Sequence, residues 1–123
     1  MNLLLIEDDL EAAKFLQKGL KESGYTVSLA VDGRDGLRQA QEQTFDLLIT
    51  DRMLPHLDGL ALVRALRESH FPGRIMILSG FLSGAVEKEY EALGVDQVLS
   101  KPFTVARLRE GVERAVHAAG CGA

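Results

Sequence analysis

Phe45–Gly59, FDLLITDRMLPHLDG, is the stretch on which the reading of this chain turns. Leu47, Leu48 and Ile49 make a short apolar run that ends in a lone carboxylate, Asp51, and a loop containing Pro55 follows. A continuous apolar run bounded by turn signals is the pattern of a parallel strand buried on both faces; a strand with one wet face alternates instead. In an open α/β sheet, chemistry collects at the carboxyl ends of the strands, which is where Asp51 would stand. Taken alone, an aspartate at such a place reads as a turn former. The other strand ends decide between the two readings.

Working outward, the same pattern recurs. Asn2 to Ile6 is an apolar run followed at once by Glu7, Asp8 and Asp9. Acids suit a helix N-terminus, where the macrodipole favours negative charge. Ala12, Leu16 and Leu20 then repeat at helical spacing until Gly24 stops them. Tyr25 to Val31 is β-branched and aromatic enough for a second strand, Asp32-Gly33 reads as a turn, and Gly36 to Gln43 as a short helix with a thin apolar side, Leu37 and Ala40. Beyond the opening stretch, Gly59 to Ser69 carries Leu62, Val63 and Leu66 on one side, and Phe71-Pro72-Gly73 breaks it. Arg74 to Ser79 is a fourth strand ending in a hydroxyl, and Val95 to Ser100 a fifth, followed by Lys101-Pro102. Between them Ala85 to Leu93 has only Val86, Tyr90 and Leu93 to bury, so this helix is expected to be the most mobile. Thr104 is the expected N-cap of a last helix with Val105, Leu108, Val112 and Val116 on one side. Residues 1–118 form the domain, and 119–123 are expected to be a frayed tail.

Five strands alternating with five helices predict an α/β fold, a doubly wound five-stranded parallel sheet of the flavodoxin-like (βα)5 kind. With strand order 2-1-3-4-5, the first and third strands flank the switch point where a site forms. The totals agree with one domain. The chain has 123 residues, 46% of them apolar and 26% charged. Fourteen basic and 18 acidic residues leave −4, which favours neither nucleic acid nor an anionic membrane as a partner. No apolar stretch approaches the roughly 20 residues a bilayer requires. No basic leader or small-residue cleavage site precedes the first strand, and a single cysteine, Cys121, cannot form an internal disulfide. A cytoplasmic setting is the expectation.

The strand ends now gather at one edge of the sheet. They supply Glu7 and Asp8, Asp51, Ser79 and Lys101. Three carboxylates held together raise one another's pKa unless a cation compensates, and a hard divalent ion such as Mg²⁺ suits an all-oxygen set. Lys101 adds a mobile point charge. A carboxylate beside Mg²⁺ can attack phosphorus and become an aspartyl phosphate, a reaction that needs positioning and charge neutralisation more than covalent help. The Ser79 hydroxyl would donate to a phosphoryl oxygen. His56 lies close in sequence, but Mg²⁺ prefers oxygen, so it reads as a loop residue; His117 and Cys121 are too near a frayed end to read as ligands.

These motifs, the acidic pair in IEDD, the DRMLPHLDG segment, the ILSG hydroxyl and SKPF, resemble in order and placement the receiver domain of two-component response regulators, over residues 1 to about 118. The resemblance implies that Asp51 is the phosphoacceptor, that Asp8 and Asp51 bind Mg²⁺ directly and Glu7 through water, and that the main-chain carbonyl of Met53 is a further ligand. It makes Lys101 the phosphoryl-contacting lysine and Ser79 the switch hydroxyl, with a cis Lys101-Pro102 bond. The implied function is a signalling switch, not a metabolic enzyme: a sensor histidine kinase or a histidine phosphotransfer protein donates the phosphoryl group, and partner binding changes.

The chain also departs from the family. Three positions before the lysine, where receivers commonly carry an aromatic residue, stands Val98. Phosphate can still draw Ser79 inward and shift the Ala85–Leu93 helix by biasing an existing equilibrium. Glu87 and Gln97 replace the charges of the symmetric dimer of the winged-helix regulator subgroup, so no dimer of that type is expected, and the unphosphorylated chain should be a monomer. Met53 and Phe81 flank the site with apolar side chains that cannot orient water, which predicts slow loss of the phosphoryl group.

Three other functions fit parts of the same pattern. A haloacid-dehalogenase-type phosphatase needs a second aspartate two residues after its nucleophile, where this chain has Met53, and places the nucleophile after the first strand. A flavodoxin-like cofactor binder needs a glycine- and hydroxyl-rich phosphate loop where this chain has IEDDLEA. A receiver-like interaction module that is never phosphorylated remains open on the sequence.

Overall fold

The computed structural model describes residues 1–52, 57–80, 84–101 and 103–118. Five parallel strands, β1 (Asn2–Ile6), β2 (Thr26–Ala30), β3 (Leu47–Asp51), β4 (Arg74–Ser79) and β5 (Gln97–Ser100), pair in the order β2-β1-β3-β4-β5. The helices between and after them are α1 (Leu10–Glu22), α2 (Gly33–Glu42), α3 (Gly59–Glu68), α4 (Gly84–Ala92) and α5 (Val105–Ala118). The doubly wound order expected from the sequence is the one observed.

The period of the strands sorts their side chains onto two cores. Leu3 and Leu5 of β1, Leu47 and Ile49 of β3, Met76 and Leu78 of β4 and Leu99 of β5 pack with Leu16 and Leu20 of α1 and Leu108, Val112 and Val116 of α5. The alternate residues, Leu4, Ile6, Leu48, Ile75 and Ile77, pack with Leu62, Val63 and Leu66 of α3 and with Tyr90 of α4. Every residue of β3 is buried, as its uninterrupted apolar run required.

Capping fixes where the helices begin. The Asp9 carboxylate accepts from the main-chain N–H of Glu11 and Ala12, at 3.0 and 3.2 Å. The Thr104 hydroxyl accepts from Arg107 N at 3.1 Å, as the sequence predicted. At Asp32-Gly33 the outcome differs from the expected turn. Asp32 is an N-cap whose carboxylate accepts from Asp35 N at 2.8 Å, so α2 starts at Gly33, three residues early. β2 and β5 are shorter than expected, because Tyr25 still bonds back to Leu20 O (3.3 Å) and Asp96 spends its carboxylate on Ile75 N (2.9 Å). Gly24 and Gly94, with φ of 96° and 76°, end α1 and α4 in the left-handed region that glycine enters without strain. His70 plays the same part after α3 with φ of 61°, ahead of the Phe71-Pro72-Gly73 break.

α4 exposes most of its surface, yet its C-terminal end is held by more than its apolar side. Arg67 of α3 donates from Nε to Leu93 O (2.8 Å) and from Nη2 to Gly94 O (2.8 Å), and from Nη1 to Phe71 O (3.3 Å). A guanidinium fork is suited to holding two carbonyls at once.

Candidate functional site: a carboxylate cluster at the ends of β1 and β3

Parallel pairing brings the ends of β1, β3, β4 and β5 to one edge. Asp51 pairs in register with Leu78, and Ser79 with Ser100, so Ser79 sits one residue beyond the Asp51 level and Lys101 just past it. Lys101 N donates to Ser79 O at 2.7 Å and Arg52 N to Leu78 O at 2.9 Å, so the loops leave the sheet as continuations of its ladder.

Glu7, Asp8 and Asp51 each present a carboxylate oxygen, all within 4.8 Å of one another. Glu7 and Asp51 are buried, at 4% and 7% exposure, whereas Asp8 is open to solvent. The Lys101 ammonium lies 2.6 Å from Asp51 Oδ2 and pairs with it directly. Among the described residues one ammonium therefore faces three carboxylates. Burial is the largest influence on Glu7 and pushes its pKa up to about 7; an N–H bond from Asp9 (3.2 Å) works against this, and the charge of Asp51 adds to it. For Lys101 burial pulls the pKa down, but the bond to Asp51 and the charges of Asp51, Glu7 and Asp8 outweigh it and the net direction is upward.

The residues predicted from the sequence are accordingly placed as follows. Glu7, Asp8, Asp51 and Lys101 are brought together, and Ser79, buried at 3% exposure, stands at the adjoining strand end. Met53, Pro55, His56, Phe81, Pro102 and Cys121 lie outside the described residues, as does the side chain of His117 and the 119–123 tail. The donor set is three carboxylates, entirely oxygen, so it fits a hard divalent cation. Two contacts had no sequence signal strong enough to be found. Thr50, fully buried, donates its hydroxyl to the Asp51 carbonyl at 3.0 Å. The Tyr90 hydroxyl of α4 lies over Gly59, on which the Arg52 backbone also closes, and only its position in an apolar triad hinted that it would be inward.

Comparison with known proteins agrees with this geometry. The family described as the response regulator receiver domain matches residues 3–113. The transcriptional regulatory protein PcoR of Escherichia coli is 39% identical over 92% of this chain, which spans 52% of PcoR. The response regulator receiver protein CpdR of Brucella abortus is 36% identical, with 95% of this chain and 98% of CpdR covered. Among solved structures, the receiver domain of the Francisella response regulator 1452 superposes with a TM-score of 0.88 at 29% identity, covering 96% of this chain and 98% of that one. No helix among the described residues is long and apolar enough to cross a membrane. With its strand order, its edge of carboxylates and a family match across residues 3–113, this chain belongs to the response regulator receiver domains, the phosphorylation-dependent switches of two-component signalling.

Proposed function

We propose that Asp51 is the phosphoacceptor, and that its charge state sets the conformation a partner reads. The observation that carries this is the arrangement of Asp51 itself: a buried carboxylate, paired to Lys101 at 2.6 Å, with Glu7 and Asp8 oxygens within 4.8 Å. In the reaction an Asp51 oxygen attacks the phosphorus of a phosphohistidine, the P–N bond breaks, and the imidazole leaves with its electron pair. The product is an acyl phosphate on Asp51. Lys101 releases Asp51 Oδ2 and turns its charge toward the phosphoryl oxygens, while the Ser79 hydroxyl donates to one of them. Glu7, Asp8 and Asp51, with the Met53 carbonyl, would hold Mg²⁺. That ion would supply neutralisation of the carboxylate cluster and of the charge on the transferring group.

The donor is a sensor histidine kinase or a histidine phosphotransfer protein, and the chain is a monomer before phosphorylation. PcoR is named as a transcriptional regulator and is about twice the length of this chain, whereas CpdR matches nearly end to end. The charge of −4 on these residues gives no attraction to DNA. Incubation with acetyl phosphate and Mg²⁺, followed by intact mass measurement, tests the reading. One phosphoryl group is expected on the native chain and none on Asp51→Asn. Undiminished labelling of that variant would sink the assignment, and an unlabelled native chain would favour the interaction-module reading.

A further inference from the structure

We propose that Tyr90 is a positioning residue that carries the state of Asp51 to α4, its ring being delivered from α4 instead of from the β5 position held by Val98. The inference rests on the phosphoacceptor reading of Asp51.

Tyr90 is the only aromatic residue of α4 and is 1% exposed, whereas Ala85, Glu87, Lys88, Glu89, Glu91 and Ala92 of the same helix face solvent. Val86 and Leu93 are only half-buried, so the phenol ring is the main apolar attachment of this helix to the core it shares with α3. Its hydroxyl is aimed at the segment that follows the acceptor. A Cβ built on Gly59 would stand 3.0 Å from the Tyr90 hydroxyl oxygen, 3.0 Å from Arg52 Cα and 3.1 Å from Arg52 O. Glycine at position 59 is what lets the three meet. Gly59 N donates to Arg52 O at 2.9 Å, and Arg52 N to Leu78 O at 2.9 Å. Arg52, Asp58, Leu60, Val86, Glu89 and Tyr90 line a small cavity of about 130 Å³ at this junction. Burial raises the phenol pKa, and the charge of the Arg52 guanidinium opposes that rise. The phenol is thus a neutral donor or acceptor at the residue covalently next to Asp51.

The mechanics follow from where α4 is held. Arg67 fixes the C-terminal end through Leu93 O and Gly94 O, both at 2.8 Å. The travel proposed is of the N-terminal end, which follows β4 and Ser79 in the chain. A change at Asp51 that moves Arg52 alters the purchase of the Tyr90 hydroxyl, and α4 pivots about its pinned end. Val98 belongs to the same core as Tyr90.

The test is hydrogen exchange of residues 84–93, read with and without acetyl phosphate and Mg²⁺, in the native chain and in Tyr90→Phe. Phenylalanine keeps the ring and removes only the hydroxyl. Intact mass is taken on the same samples. The native chain should change its exchange rate in this segment at least fivefold on phosphorylation. Tyr90→Phe should acquire the same phosphoryl mass with less than half that change. A structural role alone would shift both states of the variant equally and leave the difference intact, and that result overturns the inference. So does a phosphorylated native chain whose α4 does not respond. Gly59→Ala, which crowds the hydroxyl oxygen, provides a second arm should Tyr90→Phe fold poorly, and it should likewise reduce the difference. A native chain that gains no phosphoryl mass overturns the reading of Asp51 and this inference with it, and the mass measurement separates that failure from the others.

Discussion

Replacing Glu7 by glutamine should stabilise the metal-free protein at high pH and do almost nothing at low pH. Burial lifts the Glu7 pKa from the ordinary 4.5 to about 7. The folded chain then holds a proton that the unfolded chain has lost between those values, so stability falls as pH rises. The contribution is fully present below about pH 4.5 and is lost as pH rises through about 7. At 1.36 kcal/mol per pH unit the difference corresponds to roughly 3 kcal/mol. Solvent reaching the cluster through exposed Asp8 screens part of it, leaving about 2 kcal/mol. Glutamine carries no charge at any pH, and its Oε1 can still accept the Asp9 N–H that Glu7 accepts at 3.2 Å. Thermal unfolding followed by circular dichroism in EDTA should therefore place Glu7→Gln on the order of 6–10 °C above the native chain at pH 8, given the size of the domain. At pH 4.5 the two should melt within about 2 °C of each other, since both are then neutral at this position. Saturating Mg²⁺ should reverse the order at pH 8, because the native cluster gains more from the ion than the variant does. Equal melting temperatures at pH 8 in EDTA, or the same gain at both pH values, would show that Glu7 is not strained by burial among carboxylates.

Lys101→Ala removes the only ammonium facing the cluster among the described residues and the ion pair it makes with Asp51 beside Glu7. Because Lys101 is about one-third exposed (37%), a loss of about 1–2 kcal/mol is expected in urea titration at pH 8 in EDTA. Mg²⁺ should recover part of it, and an unchanged urea midpoint would contradict the pairing. Gly36→Ala places a methyl group 2.8 Å from Ile6 Cγ1, and closer still to Cδ1, in a fully buried core, at a cost of about 1–3 kcal/mol. Gly111→Ala meets only the mobile end of Met76 at 2.9 Å and should be near neutral, so equal urea midpoints for the two variants would refute the packing account.

The order of strands and helices was legible in the sequence because the central strands β1, β3 and β4 are buried on both faces. Leu47-Leu48-Ile49 and Arg74–Ser79 could be read as uninterrupted runs, and the helices by their periodic apolar sides. Glu7, Asp8, Asp51, Ser79 and Lys101 were legible too, since a parallel sheet gathers every strand's carboxyl end on one edge whatever the packing. The start of α2 was misplaced because Asp32-Gly33 has the composition of a turn, and only the N-cap bond to Asp35 N distinguishes the two. Contacts between residues far apart in the chain left no trace in it. Arg67 gripping the end of α4, Tyr90 meeting Arg52 over Gly59, and the rise in the Glu7 pKa depend on which faces come together and how far water is excluded. Local pattern thus dictates the elements and the edge on which chemistry gathers. Distances and dielectric, which convert a row of carboxylates into a strained site and a thinly attached helix into a lever, arise only when the two layers of helices close on the sheet.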